Sequence, residues 1–346
     1  MAPGRKSLRR VQLGLENPAG TAVSATTRLR IKDAVLKDQR EVEEILEEVG
    51  ILGGGADRTA VPKLFGAMDV PAQPMSFEQI QYFIAMSFGG PVTGSSDGVG
   101  SGKIYTTNIP TTAAPAVGVG GIRPYTVQGG DDFEVERMPY TVCNKFGLAG
   151  MGWETLKFNA GLFGRYVERL GGGFSAATVP DPIEDILVSK GRMYLDDVSG
   201  AYGTTQVALS ILGIDTQFSI KLIPKPTLDG NLYFSYVIYT DHEIKGTVTF
   251  EHDTAADGST GAKADWREQT PKLLRLDFAG NALATAGTTY STKHLIIDLP
   301  VKWETVSELK DKEGNDIVTA EFRSRYNQTI TNSGKIIVVT ELASLP

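Results

Sequence analysis

Leu273-Leu274-Arg275-Leu276-Asp277-Phe278 places Leu274, Leu276 and Phe278 on one side of an extended chain and Arg275 and Asp277 on the other. Further on, Leu295, Ile297 and Leu299 flank Ile296 and Asp298 in the same way. A period of two is the signature of a strand with one buried and one wet face. Outward from this pair, strands are expected at Phe218–Leu222, Leu232–Tyr239, Thr247–Glu251, Val318–Tyr326 and Ile336–Glu341. Turn residues separate them at Asp229-Gly230-Asn231, Gly314-Asn315 and Asn332-Ser333-Gly334. Phe133–Glu136 and Leu156–Leu162 alternate as well. The expectation is antiparallel sheet with one buried face, in a sandwich or barrel.

Two stretches have helical spacing. Ser76 with Gln79 forms a capping box, and Phe77, Ile80, Phe83, Ile84 and Phe88 make an apolar stripe that Gly89-Gly90 stops. Val42, Ile45, Leu46 and Val49, set among Glu41, Glu43, Glu44, Glu47 and Glu48, predict an acidic amphipathic helix. A third, weaker helix is expected between Asp257 and Thr270, around Trp266. Gly53–Pro74 reads as a Gly- and Pro-rich loop. Gly90–Gly130 reads as a long loop, either a flexible insertion or a segment that orders against another molecule. Val179–Tyr202 has the composition of a linker, which divides the chain into residues 1–190 and 191–346.

The chain has 346 residues, enough for two domains or one large one. Its 34 Lys and Arg against 41 Asp and Glu leave a net charge of -7, which argues against a surface built to grip nucleic acid. The single cysteine, Cys143, excludes an internal disulfide and is expected in the core. No apolar run is long enough for a membrane span, and no apolar core follows the basic start, so neither a membrane nor a signal peptide is expected. Arg5, Lys6, Arg9 and Arg10 make the first ten residues a basic arm, either frayed or gripping an acidic neighbour.

The search for chemistry comes up short. His242, His252 and His294 are the acid–base candidates near neutral pH, and none sits in a recognised metal or nucleophile motif. Gly98-Val99-Gly100-Ser101-Gly102-Lys103 fails as a phosphate loop, because Asp97 stands where the first Gly belongs and Ile104 follows the Lys. Asp311–Asp316 fails as a calcium loop and reads as a hairpin turn. The expectation is no enzyme, no cofactor, no metal.

Several stretches resemble one family. Val11-Gln12-Leu13-Gly14-Leu15-Glu16-Asn17-Pro18-Ala19-Gly20-Thr21-Ala22, the Ser76–Gly89 helix, Asn144–Gly150 with the Leu156–Gly164 strand, and His294–Pro300 after Leu273–Gly280 are similar to long-tailed bacteriophage tail tube (major tail) proteins. The resemblance is diffuse but covers most of the chain. It implies a mainly β protein of tandem tail-tube-like β-sandwich or barrel domains, each with a flanking helix. It implies a structural virion protein whose copies, three to a ring with pseudo-sixfold symmetry, stack into a hollow tail.

Its partners would be itself, tape-measure and tail-terminator proteins, and double-stranded DNA in transit. It would be made in the bacterial cytoplasm and end in the virion. Four strands from each domain would give about 24 strands per ring, a circumference on the order of 150 Å and a diameter of roughly 48 Å, enough for duplex DNA. The alternative is a β-rich carbohydrate-binding or adhesin module, with Tyr233-Phe234-Ser235-Tyr236 lining a glycan groove. The assembly residues expected are Arg5, Lys6, Arg9 and Arg10 in the arm, Glu43 and Glu47 in the acidic stretch, and Lys103, Tyr105 and Arg123 in the long loop.

Overall fold

The computed structural model describes residues 5–45, 47–48, 58–118, 120–171, 173–174, 181–207, 211–253 and 261–345. Parts of the expected arm, acidic helix, first loop, linker and third helix lie outside these residues. In chain order the elements are β1 (Arg10–Leu15), β2 (Thr27–Leu29), β3 (Leu36–Glu44), β4 (Thr59–Pro74), α1 (Ile80–Ser87), β5 (Ser95–Ser96), β6 (Lys103–Asn108) and β7 (Tyr125–Gly130). They continue with β8 (Val135–Met151), β9 (Lys157–Gly164), β10 (Glu168–Arg169), β11 (Gly191–Asp197), β12 (Ile211–Lys225) and β13 (Tyr236–Glu251). The last are α2 (Ala262–Glu268), β14 (Lys272–Ala282), β15 (Thr292–Val306), β16 (Lys310–Lys312), β17 (Asn315–Ser324) and β18 (Lys335–Thr340).

The protein is mainly β, and its strands form one antiparallel hydrogen-bonded network with three regions. The middle region is an eight-stranded run, β3-β4-β9-β8-β12-β13-β17-β15. A smaller region, β2-β1-β7-β8-β10, uses the first part of β8. The third, β11-β14-β15-β18-β6-β5, uses the first part of β15. β8 changes partners around Tyr140, whose φ of 53° is left-handed, and the buried Glu16 carboxylate accepts the Tyr140 N–H at 2.8 Å there. The β8–β12 and β6–β18 ladders both cross residue 190.

Alternation sets which face is buried. Phe146, Leu148, Phe158, Phe218, Val248, Phe250 and Phe322 point inward from the eight-stranded run, with Phe146 stacked on Phe218 at 4.4 Å. Lys145, Asp215, Gln217, Lys245, Thr247 and Glu321 point outward. α1 lies against the inner face, Phe83 tilted on Phe158 at 4.7 Å. Its Ser76 Oγ accepts the Gln79 N–H at 3.3 Å, one half of the capping box. The other half is diverted, since the Gln79 side chain accepts from Arg30 N and donates to Arg28 O. All eight residues of α1 are buried, so the helix is enclosed on every side instead of presenting one stripe. Gly89 ends it at a φ of 86°, where a Cβ would also strike the Gly121 carbonyl at 2.6 Å.

Four expectations are corrected. The acidic stretch is β3 through Glu44, not a helix, because pairing with β4 outweighs the helical spacing. Most of the Gly/Pro loop is β4, whose Pro62 and Pro71 fall at register shifts where no ladder bond is lost. The long loop contains β5, β6 and β7, sealed against β18 and β1. The linker contains β11. The hairpin turn at Glu313-Gly314 and the burial of Cys143 agree with the sequence.

Candidate assembly surface

Residues 5–10 of the basic arm fold back on their own chain. The Arg5 N–H donates to Asp132 at 3.1 Å, Lys6 pairs with Asp33 at 2.7 Å, and Arg10 opens β1 with its guanidinium 4.0 Å over the Phe174 ring. Lys6, Arg9 and Arg10 line a groove of about 500 Å³ together with Asp33, Asp131, Glu134 and Glu136, so its charges alternate in sign. Glu43 stands on β3 opposite Ala60, and Glu47 pairs with Arg58 at 2.6 Å. Lys103 donates to Ser96 Oγ at 2.9 Å on the β5–β6 hairpin. Tyr105 is fully buried and its hydroxyl donates to Leu342 O at 2.7 Å, so it offers no surface to a neighbour. Arg123 is half-buried and its backbone N–H donates to Ala85 O. Lys6, Arg9 and Arg10 share one groove and Lys103 shares a strand with Tyr105; the rest are scattered.

The acid–base candidates do not converge on a cleft. His294 Nδ1 lies 2.7 Å from Asp277 and its Nε2 2.8 Å from Thr292 Oγ1, on the side of the sheet where Tyr290 packs over it. His242 is held below the usual imidazole range by burial, with Asp241 pulling the other way, and its Nδ1 meets the Tyr239 hydroxyl at 2.7 Å. Burial pushes the Cys143 thiol up to about 12, which leaves it un-ionised. Among the described residues no cluster of His, Cys, Asp and Glu could hold a metal ion. Tyr233 packs on Tyr166, and Phe234 on Phe65, Tyr140 and Phe163, which leaves Tyr236 as the exposed aromatic of that stretch.

The sheet borders are more informative. Most are blunted: β2, β5 and β10 have three residues or fewer, and residues 205–207 hydrogen-bond along the outer side of β11. Two longer borders flank the eight-stranded run, and the β12–β13 hairpin beyond Ser219 and Glu243 leaves further strand edges without a partner strand among the described residues. β3 has nine residues, eight of them exposed, and among the described residues pairs only with β4. At the far side of the same run, β15 beyond Val301 and then β16 pair only with β17 among the described residues, and α2 covers one carbonyl there through Trp266 Nε1 to Glu304 O.

The outer face between these borders is polar and internally paired. Lys221 meets Asp241 at 2.9 Å, Lys245 meets Glu243 at 3.0 Å, and Arg323 meets both Glu243 and Glu304 at 3.0 Å. Cations spent on neighbouring carboxylates make a poor track for phosphates.

Two features were missed from sequence. Trp153, at the β8–β9 turn, is wholly exposed, and so is Leu228 in the β12–β13 loop. A large apolar residue inside a Gly- or Asp-containing turn was the available signal. Compared with known proteins, the chain matches no protein-family model and no curated protein.

Proposed function

We propose that this chain is a structural tail-tube protein, whose copies close side by side into rings and stack into a hollow conduit for a viral genome. The observation that carries this is the pair of borders, β3 on one side and β15 with β16 on the other, that flank one eight-stranded run. A run with two such borders joins copies edge to edge, and closure removes the aggregation hazard that open edges otherwise pose.

Residues 1–190 contribute β3, β4, β9 and β8 to that run, and residues 191–346 contribute β12, β13, β17 and β15. Four strands from each half is the tandem arrangement expected of two tube modules in one chain, α1 and α2 being the helices of the two halves. Three copies then supply about 24 strands, with a lumen on the order of 30 Å after side chains. The polar, charge-paired face would line that lumen and let DNA slide. Tape-measure and tail-terminator proteins are the further partners this role requires, and the mature location is the virion.

The test is negative-stain microscopy and light scattering on the purified protein over a range of concentrations. Rings of three chains, or tubes built from them, are expected. A monomer that stays dispersed at every concentration would overturn the proposal.

A further inference from the structure

The eight-stranded run has two ends as well as two sides; one end carries a groove floored by buried apolar side chains beside the exposed Trp153, and the other an exposed apolar loop tip. At one end, a groove of about 260 Å³ is lined by Val188, Met193, Ile211, Ile214, Leu276 and Phe278, with Trp153 standing on its rim. At the other end, the β12–β13 loop carries fully exposed Leu228 beside half-exposed Leu232. β12 itself separates them. Ile211 and Ile214 at its start line the groove, and Leu228 lies just past its end at Lys225. A strand of 15 residues spans roughly 45 Å, so tip and groove never meet within one chain.

We infer that the Leu228 tip of one copy seats in this groove on a second copy, as the axial contact between successive rings. The claim rests on the tube proposal and names the partner surface for stacking. Charge favours the pairing. Asp229, next to Leu228, is an exposed carboxylate held ionised, down to about 2, by donors from Ser235 and Asn231. Arg192, on the lip of the groove, is exposed and makes no ion pair among the described residues. Apolar tip into apolar groove, with carboxylate facing guanidinium, gives the contact both area and register. The tip and the groove are different surfaces, so the contact is heterologous and repeats without closing, as a stack of rings requires.

Three variants test it. Leu228→Asp is expected to leave rings intact and raise the concentration needed for stacking by about tenfold or more, since it places a charge in an apolar groove. Arg192→Glu is expected to weaken stacking in the same direction and to lower its sensitivity to salt. Ser189 also lines the groove, and in Leu228→Cys with Ser189→Cys mild oxidation of the full-length protein is expected to give a ladder of covalent dimers, trimers and longer chains. Cys143 is buried and does not compete.

Rings from wild type with stacking unchanged in Leu228→Asp would overturn the contact and leave the tube proposal standing. Absence of wild-type rings and tubes would sink the tube proposal, and the oxidation ladder would then decide the contact by itself. A ladder that stops at dimer, or monomer alone, rejects it.

Discussion

Two β-hairpins run past the eight-stranded sheet at the same end, and they are built differently. Beyond Ser219 and Glu243 the β12–β13 hairpin has no third strand among the described residues, yet Ile220, Leu222, Val237 and Tyr239 cover one of its faces with core contacts. The β3–β4 hairpin between Gln39/Phe65 and Glu44/Thr59 also has no third strand among the described residues; Leu64 N–H donates to Leu232 O of the β12–β13 loop, but the β3 residues are exposed on both faces. The difference is written in the strands. β12 alternates Ile220-Lys221-Leu222, whereas β3 runs Lys37-Asp38-Gln39-Arg40-Glu41 with Val42 as the one apolar residue between Leu36 and Ile45. An isolated two-stranded hairpin is marginal in water. The covered hairpin is held by its own chain, and the bare one is where a second chain has most to add.

The comparison breaks most sharply at Leu222. Leu222→Ala should cost about 2–4 kcal/mol in urea unfolding, because a buried leucine is lost from the covered hairpin. A loss below about 0.5 kcal/mol would mean that this face is not a true core.

Arg165 fastens the same hairpin's loop. Its guanidinium donates to Gly20 O at 3.1 Å, to Phe234 O at 3.1 Å and to Ser235 O, and lies 4.6 Å from the Tyr140 ring centre. Arg165→Ala should cost about 2 kcal/mol by stranding those carbonyls, with hydrogen exchange of residues 226–235 rising before the rest of the molecule. Uniform exchange would assign Arg165 a local packing role only.

Acid should loosen the covered hairpin through His242. Burial lowers its folded pKa, so the stability it contributes is fully present above the ordinary imidazole value of about 6.5 and is lost as pH falls through the folded value. Between pH 7.5 and 5 the melting temperature should fall less in His242→Gln than in wild type. Parallel pH profiles would remove His242 from the account.

The bare hairpin should respond in the opposite manner. Val42→Asp is expected to change monomer stability by no more than about 0.5 kcal/mol, while ring formation drops markedly in light scattering. Normal rings from this variant would direct attention away from β3 as the closing border. The smallest effect is expected at the exposed Lys221–Asp241 pair, where Lys221→Ala should leave the melting temperature unchanged within error.

Much of the fold was legible where a strand carried its own evidence. β14, β15 and β18 alternate or run apolar because one or both faces are buried, and α1 announces itself through Ser76, Gln79 and Gly89. β4 was hidden by prolines, which a strand tolerates at bulges that only pairing with β3 and β9 creates. β6 was hidden because Thr106, Thr107 and Asn108 are small or polar, and what makes them a strand is β18, more than two hundred residues later. The helical spacing around Val42 misled for a related reason, since propensity is weak against a ladder already offered by β4.

The candidate site was less legible. Of the residues expected on it, Tyr105 is enclosed and Lys6 is paired with Asp33 of its own chain, because charge and length in a sequence do not say which neighbour a side chain will meet.

By itself the sequence determined that this is a β protein, since alternation follows from the geometry of an extended chain and needs no partner. It also determined a chain without an evident catalytic motif. Only the tertiary structure decided which strands are borders, which loops are sealed, and that Leu228 and the Met193 groove stand at opposite ends of β12. Those are properties of pairing between residues far apart in the chain, set by ladder bonds and shared burial that no local run of residues encodes.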